Sequence, residues 1–178
     1  SEADEVLKFK LSKIILDGPN EDLKLTQNTQ PAIMLVSYSI FSTIKKNYDF
    51  DYKDYRFFTG HSLGEYSSLV CSEVLTFKDA LFLLYERGKA MQEAVPVGKG
   101  AMLAVLGCEI SEVKQFLDEL KENGVCQIAN DNAPGQIIVS GNTSKINELH
   151  KTLKSQKKKA IPLPVSAPFH CELMKIAA

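Results

Sequence analysis

Apolar and polar positions follow two different periods along this chain, and the change comes at Gly98. Ahead of it the spacing is helical. Residues 1–7 open inside a helical pattern, the stretch to Leu16 is mixed, and Asp17-Gly18-Pro19-Asn20 has the composition of a turn. "NTQPAIMLVSYSIFSTIKK" is apolar nearly all round, which predicts a buried helix with Pro31 in its first turn. A polar insert, "KNYDFDYKDYR", separates it from "FFTG", read as a short strand, and "EYSSLVCSEVL" then has helical spacing. The insert around Lys45 to Tyr55 is assigned no function. "TFKDALFLLYERGKAMQEAVP" predicts a helix with Thr76 as N-cap, Asp79 in its first turn and Pro96 at its close. At about 100° per residue, Lys78, Phe82, Glu86, Lys89 and Glu93 share a wet face, and Ala80, Leu83, Leu84, Met91 and Ala94 the apolar one.

From Gly98 the runs shorten. "GAMLAVLG" predicts a strand, "SEVKQFLDELKENG" a helix with Ser111 as N-cap, and "VCQIAND" a second strand. "NAPG" turns into strand "GQIIVSG", "TSKINELHKTLKSQ" makes a helix, and "KAIPLPV" a last strand. The order is βαββαβ, the split βαβ arrangement of a ferredoxin-like unit. It spans residues 98–163, leaving 1–97 and 164–178 to a separate core. Both ends of the chain fall within helical patterns, so the sequence reads as an internal portion of a longer protein.

Composition narrows the classes. With 178 residues the chain can hold one core with a smaller domain inserted. A net charge of −1 argues against a dedicated nucleic-acid binder, and no apolar run approaches the roughly 18 residues of a membrane span. Cys71, Cys108, Cys126 and Cys171 form no CxxC pair and have no histidine at ligand spacing, so they read as reduced thiols in a cytosol-like compartment, with no metal implied. No signal or transit peptide opens the sequence.

The chemistry concentrates at Gly60-His61-Ser62-Leu63-Gly64, a G-x-S-x-G between a predicted strand and a helix. That context is the nucleophile elbow, in which a strained serine projects its hydroxyl and the flanking glycines spare the chain Cβ clashes. The Leu63 N–H then points toward an oxyanion formed at Ser62. A plain helix-capping turn is the alternative. A serine needs a base, and there are three histidines. His150 lies on a Lys-rich amphipathic helix, and His61 adjoins Ser62, where the backbone directs the two side chains apart. His170 remains, at a turn in "LPVSAPFHCELM", against the competing reading of a structural histidine. Arg87 falls in the middle of an apolar helix face, where a guanidinium needs an anion or several acceptors. A structural partner and a substrate carboxylate are both candidates. Cys171 has no elbow around it, which disfavours it as a nucleophile.

"GHSLGEYSSLV", "ERGKAMQEAVPVGKGAMLAVLG", "NAPGQIIVSG" and "IPLPVSAPFH" together resemble the malonyl-CoA:acyl carrier protein transacylase family of type II fatty acid synthesis, in order and separation, over nearly the whole chain. The resemblance implies an α/β fold, a hydrolase-like parallel-sheet core with an inserted ferredoxin-like subdomain. It implies ping-pong transfer of malonyl from malonyl-CoA to the phosphopantetheine thiol of acyl carrier protein. Ser62 matches the nucleophile, His170 the proton acceptor and Arg87 the clamp on the malonyl carboxylate. Leu63, His61, Met91 and Phe169 complete the substrate-binding set, the Phe169 ring crowding the space a 2-methyl group would need. No cofactor is implied beyond the coenzyme A and phosphopantetheine carried by the substrates. The expected protein is a monomer that binds neither nucleic acid nor membrane, in the cytoplasm or, if eukaryotic, in a plastid-type or mitochondrial matrix. The family's opening Gly-Gln-Gly loop has no counterpart here.

Two other readings use the same residues. A thioesterase or lipase-like hydrolase shares the elbow but gains nothing from Arg87, and no acidic triad member is evident between Ser62 and His170. A carrier-protein docking module would bind without becoming acylated. Lys151, Lys154, Lys157, Lys158 and Lys159 form a basic excess that reads either as a carrier-protein patch or as a solvated helix face.

Overall fold

Helices form where the 3.6-residue spacing predicts them, and every described strand begins at Gly100 or later. The chain, a computed structural model, is described for residues 1–48, 50–120 and 123–178. It divides into two compact units, Ser1–Lys89 and Ala90–Ala178. The sequence places its own boundary at 97/98 and returns 164–178 to the first part.

In the first unit, α1 (Glu2–Leu7) starts on a capping box, in which Asp4 N–H donates to the Ser1 side chain. Helix α2 (Leu11–Asp17) is tied to it by Asp4, which accepts from Ser12 N–H at 2.9 Å and Ser12 Oγ at 2.7 Å. The predicted turn holds short helix α3 (Asn20–Lys24) on its far side. Helix α4 (Thr26–Asn47) then begins earlier than the pattern suggests, leaving Pro31 a turn further in. Side chains build that extra turn: Asn28 Nδ2 donates to Asp22 O at 2.9 Å and Thr29 Oγ1 to Leu25 O at 3.0 Å. Only one side of α4 is buried, around Ala32 and Met34, while Val36, Ile40 and Ile44 are exposed. The expectation of a helix buried all round is corrected accordingly.

Residues 57–60 are no strand. A strand exists through its ladder, and the first unit has none among the described residues. Among its described residues the polar insert contains a 3-10 turn, Tyr52–Asp54, and its Asp49 lies outside them. Helix α5 (Gly64–Cys71) follows, then α6 (Phe77–Ala94), whose Thr76 cap is realised: Asp79 N–H donates to Thr76 Oγ1 at 3.1 Å. The charged face of α6 is exposed as predicted, whereas Leu83, assigned to the buried face, is 43% exposed and neighbouring Leu81 is fully buried. Leu11, Met34, Val70, Ala80, Leu81 and Leu84 form this unit's core.

The second unit carries one four-stranded sheet, β1 (Gly100–Leu106), β2 (Cys126–Ala133), β3 (Gln136–Asn142) and β4 (Lys159–Pro162), in the order β2-β3-β1-β4. Every neighbouring pair is antiparallel, so no parallel ladder is present among the described residues. Helices α7 (Ile110–Asp118) and α8 (Thr143–Ser155) complete the βαββαβ order. Alternation along the strands sends Leu103, Val105, Ile137 and Val139 to meet Val113, Phe116, Leu149 and Leu153 of the helices. Met102, Ala104 and Ile138 face the other way, toward Leu163 and Phe169. Strand β4 ends at Pro162, and Leu163 N–H still donates to Met102 O at 3.0 Å just beyond it. Helix α7 starts from Glu109, not Ser111, because Glu112 and Val113 N–H both close on the Glu109 carbonyl and Ile110 packs into the core. Of the helix predicted to run to Gly124, Lys121 and Glu122 lie outside the described residues.

Candidate active site

Ser62 has φ +55°, in the left-handed region that a residue with a Cβ rarely adopts. The turn around it is closed by Gly64 N–H to His61 O at 2.9 Å and Glu65 N–H to Ser62 O at 3.2 Å, and α5 starts directly behind, with Leu63 at its cap. The serine is therefore held at the N-terminal end of a helix in a strained turn, the local form expected of an elbow. The two flanking glycines are not equivalent. A Cβ on Gly60 would lie 1.9 Å from the carbonyl carbon and oxygen of Gly64, whereas a Cβ on Gly64 would meet nothing within 4 Å. Close passage of the chain requires the first glycine only, which corrects the expectation for Gly64.

Arg87 reaches this turn from α6. Its Nη2 donates to Ser62 Oγ at 3.1 Å, its Nη1 to Gln30 Oε1, and its guanidinium lies 6.0 Å from the Tyr66 ring centroid. Gln30 is buried on α4, and its amide nitrogen donates to Thr26 Oγ1 at 2.8 Å. The cation on the apolar helix face thus has neutral acceptors on two sides, one of them the serine hydroxyl. A carboxylate entering here would meet a guanidinium oriented by Gln30. The sequence reading missed Gln30, although an amide beside proline in an otherwise apolar helix was its signal. His61 is exposed beside the elbow.

Met91, Phe169 and His170 belong to the second unit. Met91 is buried with Val95 and Met174, and the Phe169 ring packs against that cluster and against Met102, Ala104 and Ile138. His170 is exposed and, like Ser62, holds a left-handed backbone, φ +56°. Its turn is fixed from both sides. Cys171 Sγ donates to Pro168 O at 3.2 Å, and Glu172 N–H donates to the Gln127 side chain at 2.8 Å. Pro168 lies against Gly100, where a Cβ would come within 2.2 Å of its ring. The structure thus groups Ser62, Leu63 and Arg87 in one unit, and Met91, Phe169 and His170 in the other.

The basic stretch on α8 and after it is smaller than it reads, because Lys158 is ion-paired with Glu112 at 2.5 Å. Burial raises the thiols of Cys71 and Cys108 and pushes Cys126 up to about 11. Among the described residues no cluster of three or more His, Cys, Asp or Glu could hold a metal, and no helix is long and apolar enough to cross a membrane.

Several known proteins are similar to this chain in sequence and in structure. The malonyl CoA-acyl carrier protein transacylase of Bacillus subtilis strain 168 is 48% identical over 99% of this chain and 55% of its own length. That of Escherichia coli K12 is 40% identical over 100% of the chain and 57% of its own. The solved acyl-carrier-protein-S-malonyltransferase of Bartonella henselae superposes with a TM-score of 0.91 at 41% identity, covering 99% of this chain and 56% of that one. A solved type II PKS acyl-carrier protein in complex with its malonyl-transacylase matches at 0.85 and 36%, over 99% of this chain and 56% of that one. The chain spans little more than half the length of these relatives. The acyl transferase domain family matches residues 2–178, the strained serine and the arginine beside it included, so the chain belongs to that family.

Proposed function

We propose that this chain carries the malonyl-transfer site of a malonyl-CoA:acyl carrier protein transacylase, which supplies the extender unit for fatty acid synthesis. One observation carries the reading: the Arg87 guanidinium stands 3.1 Å from Ser62 Oγ. In a malonyl thioester a single methylene separates the carboxylate carbon from the thioester carbonyl carbon, a span of roughly 2.5 Å from two C–C bonds. Clamp and nucleophile must then be close neighbours. A neutral acyl group has no use for the cation.

In the first half-reaction Ser62 Oγ attacks the thioester carbonyl while His170 takes its proton, and the Leu63 N–H receives the oxyanion. The C–S bond breaks, and coenzyme A leaves as the thiol with the proton from the imidazolium. In the second, the phosphopantetheine thiol of the carrier protein gives its proton to His170 and attacks the malonyl-serine, and Ser62 Oγ recovers the proton as it leaves. This is a ping-pong scheme run by a Ser-His dyad. The assignment of His170 and of the substrate-binding roles of His61, Met91 and Phe169 rests on the family resemblance. Phe169 is the proposed barrier to a 2-methyl group, and F169A should accept methylmalonyl-CoA better than wild type; an unchanged malonyl preference would remove that role.

The reading extends to architecture. Residues 98–163 form the ferredoxin-like subdomain, a proposal supported by the β2-β3-β1-β4 order, and residues 1–97 with 164–178 contribute to a hydrolase-like parallel-sheet core. The proposed partner is acyl carrier protein, supported by the relative solved with its carrier. The proposed protein is a cytoplasmic or organelle-matrix monomer that needs no cofactor of its own.

The test is acylation. Incubated with malonyl-CoA, the protein should gain one malonyl group on the Ser62 peptide by mass spectrometry. S62A should gain none and R87A much less, and carrier protein should then discharge the adduct. A malonyl group that persists in S62A would place the nucleophile elsewhere.

A further inference from the structure

Gly88 follows Arg87 on α6 and faces the first turn of α4. A Cβ on it would stand 2.5 Å from Gln27 Cα, 2.6 Å from Thr26 O and 2.9 Å from Gln27 N. These are backbone atoms, so no side-chain rotation clears them. Carbon atoms in ordinary contact lie about 3.5 Å apart or more. The two helices therefore touch backbone to backbone here, a contact open only to glycine. Glycine in the middle of an 18-residue helix weakens that helix relative to alanine, so helix propensity does not account for it.

The backbone that Gly88 touches is the one that orients Arg87. Thr26 Oγ1 accepts from Gln30 Nε2 at 2.8 Å, and Gln30 Oε1 accepts from Arg87 Nη1. Arg87 Nη2 then reaches Ser62 Oγ at 3.1 Å. Contact and hydrogen bonds form a closed circuit from Gly88 through Thr26 and Gln30 back to Arg87.

We propose that Gly88 is a positioning residue for the carboxylate clamp: its missing side chain sets how deeply α6 lies on the Thr26 turn, and thereby where the Arg87 guanidinium stands relative to Ser62 Oγ. This inference rests on Arg87 holding the substrate carboxylate. Restoring ordinary contact at an alanine would displace the helices by about 1 Å, and a displacement of that size at a reacting centre costs up to about a hundredfold in rate. The loss falls on the substrate that uses the clamp, so it appears as lost selectivity.

The experiment gives full-length wild type, G88A and R87A an equimolar mixture of malonyl-CoA and acetyl-CoA, and measures the ratio of malonyl to acetyl on the Ser62 peptide. Both adducts form on the same folded molecules, so a smaller folded fraction cancels. The ratio in G88A should fall by about tenfold or more, toward that of R87A. A G88A ratio within about twofold of wild type, with R87A still impaired, overturns the inference and leaves the functional reading standing. Wild type that takes no malonyl group overturns both. If G88A yields no folded protein, T26V removes the acceptor for Gln30 Nε2 without touching the backbone. Its ratio should also fall, and an unchanged ratio overturns the inference.

Discussion

Replacing Gly60 by alanine while leaving Gly64 alone, and the reverse, separates two positions that the G-x-S-x-G pattern treats alike. At Gly60 the added carbon would lie 1.9 Å from Gly64 C and O and 2.4 Å from Glu65 N. Ordinary contact needs about 1.5 Å more. The atoms in the way belong to a turn closed by hydrogen bonds of 2.9 Å, 3.2 Å and 3.1 Å from Gly64, Glu65 and Tyr66 N–H. Opening it sacrifices one or two of these, about 1 kcal/mol each, on top of about 1–3 kcal/mol for overpacking, so G60A should lose about 3 kcal/mol or more. At Gly64 the carbon enters open space on the first residue of α5, and G64A should gain up to about 0.5–1 kcal/mol from lower unfolded-chain entropy. The chain has no tryptophan, so urea titration followed by far-UV circular dichroism is the assay. The malonyl labelling proposed for Ser62 is the functional readout, and it should be abolished in G60A and retained in G64A. Equal urea midpoints for the two variants would refute the steric account of the elbow.

Two further outcomes follow from the titrating groups. Hydrogen bonds from the Ser12 backbone and hydroxyl hold the Asp4 carboxyl far below its ordinary range. A depressed carboxyl contributes stability above its unfolded value of about 3.9 and loses it as pH falls from there toward the folded value. The urea midpoint should therefore drop below about pH 4 in wild type, and by less in D4N. Cys126, at about 11 against an ordinary 9.0, carries roughly a hundredth of the thiolate at pH 8. Iodoacetamide should label it about a hundredfold more slowly in the folded protein than in urea, and a rate within about threefold would contradict the burial described.

The second unit was legible because alternation, turn glycines and helix spacing are local properties, and each strand from Gly100 to Pro162 finds its partner within the unit. "FFTG" failed for the complementary reason, since an extended segment becomes a strand only beside another. The elbow was visible as a pattern, but its asymmetry was not, because the crowding at Gly60 depends on where Gly64 folds back. Arg87 announced itself as a charge on an apolar face. Gln30 and Gly88 did not, since their roles come from two helices meeting more than fifty residues apart in sequence. Single-element patterns reveal which residue is out of place, and only packing reveals what holds it there.

Ser62 and His170 share the left-handed backbone, φ +55° and +56°. A side chain in that region costs about 1–2 kcal/mol that glycine does not incur. Replacing either residue by glycine should therefore relax the fold in the same step that removes the proposed nucleophile or the proposed base. Random substitution at these two codons drifts toward a sturdier chain that lacks the proposed chemistry, and only selection for that chemistry works against the drift.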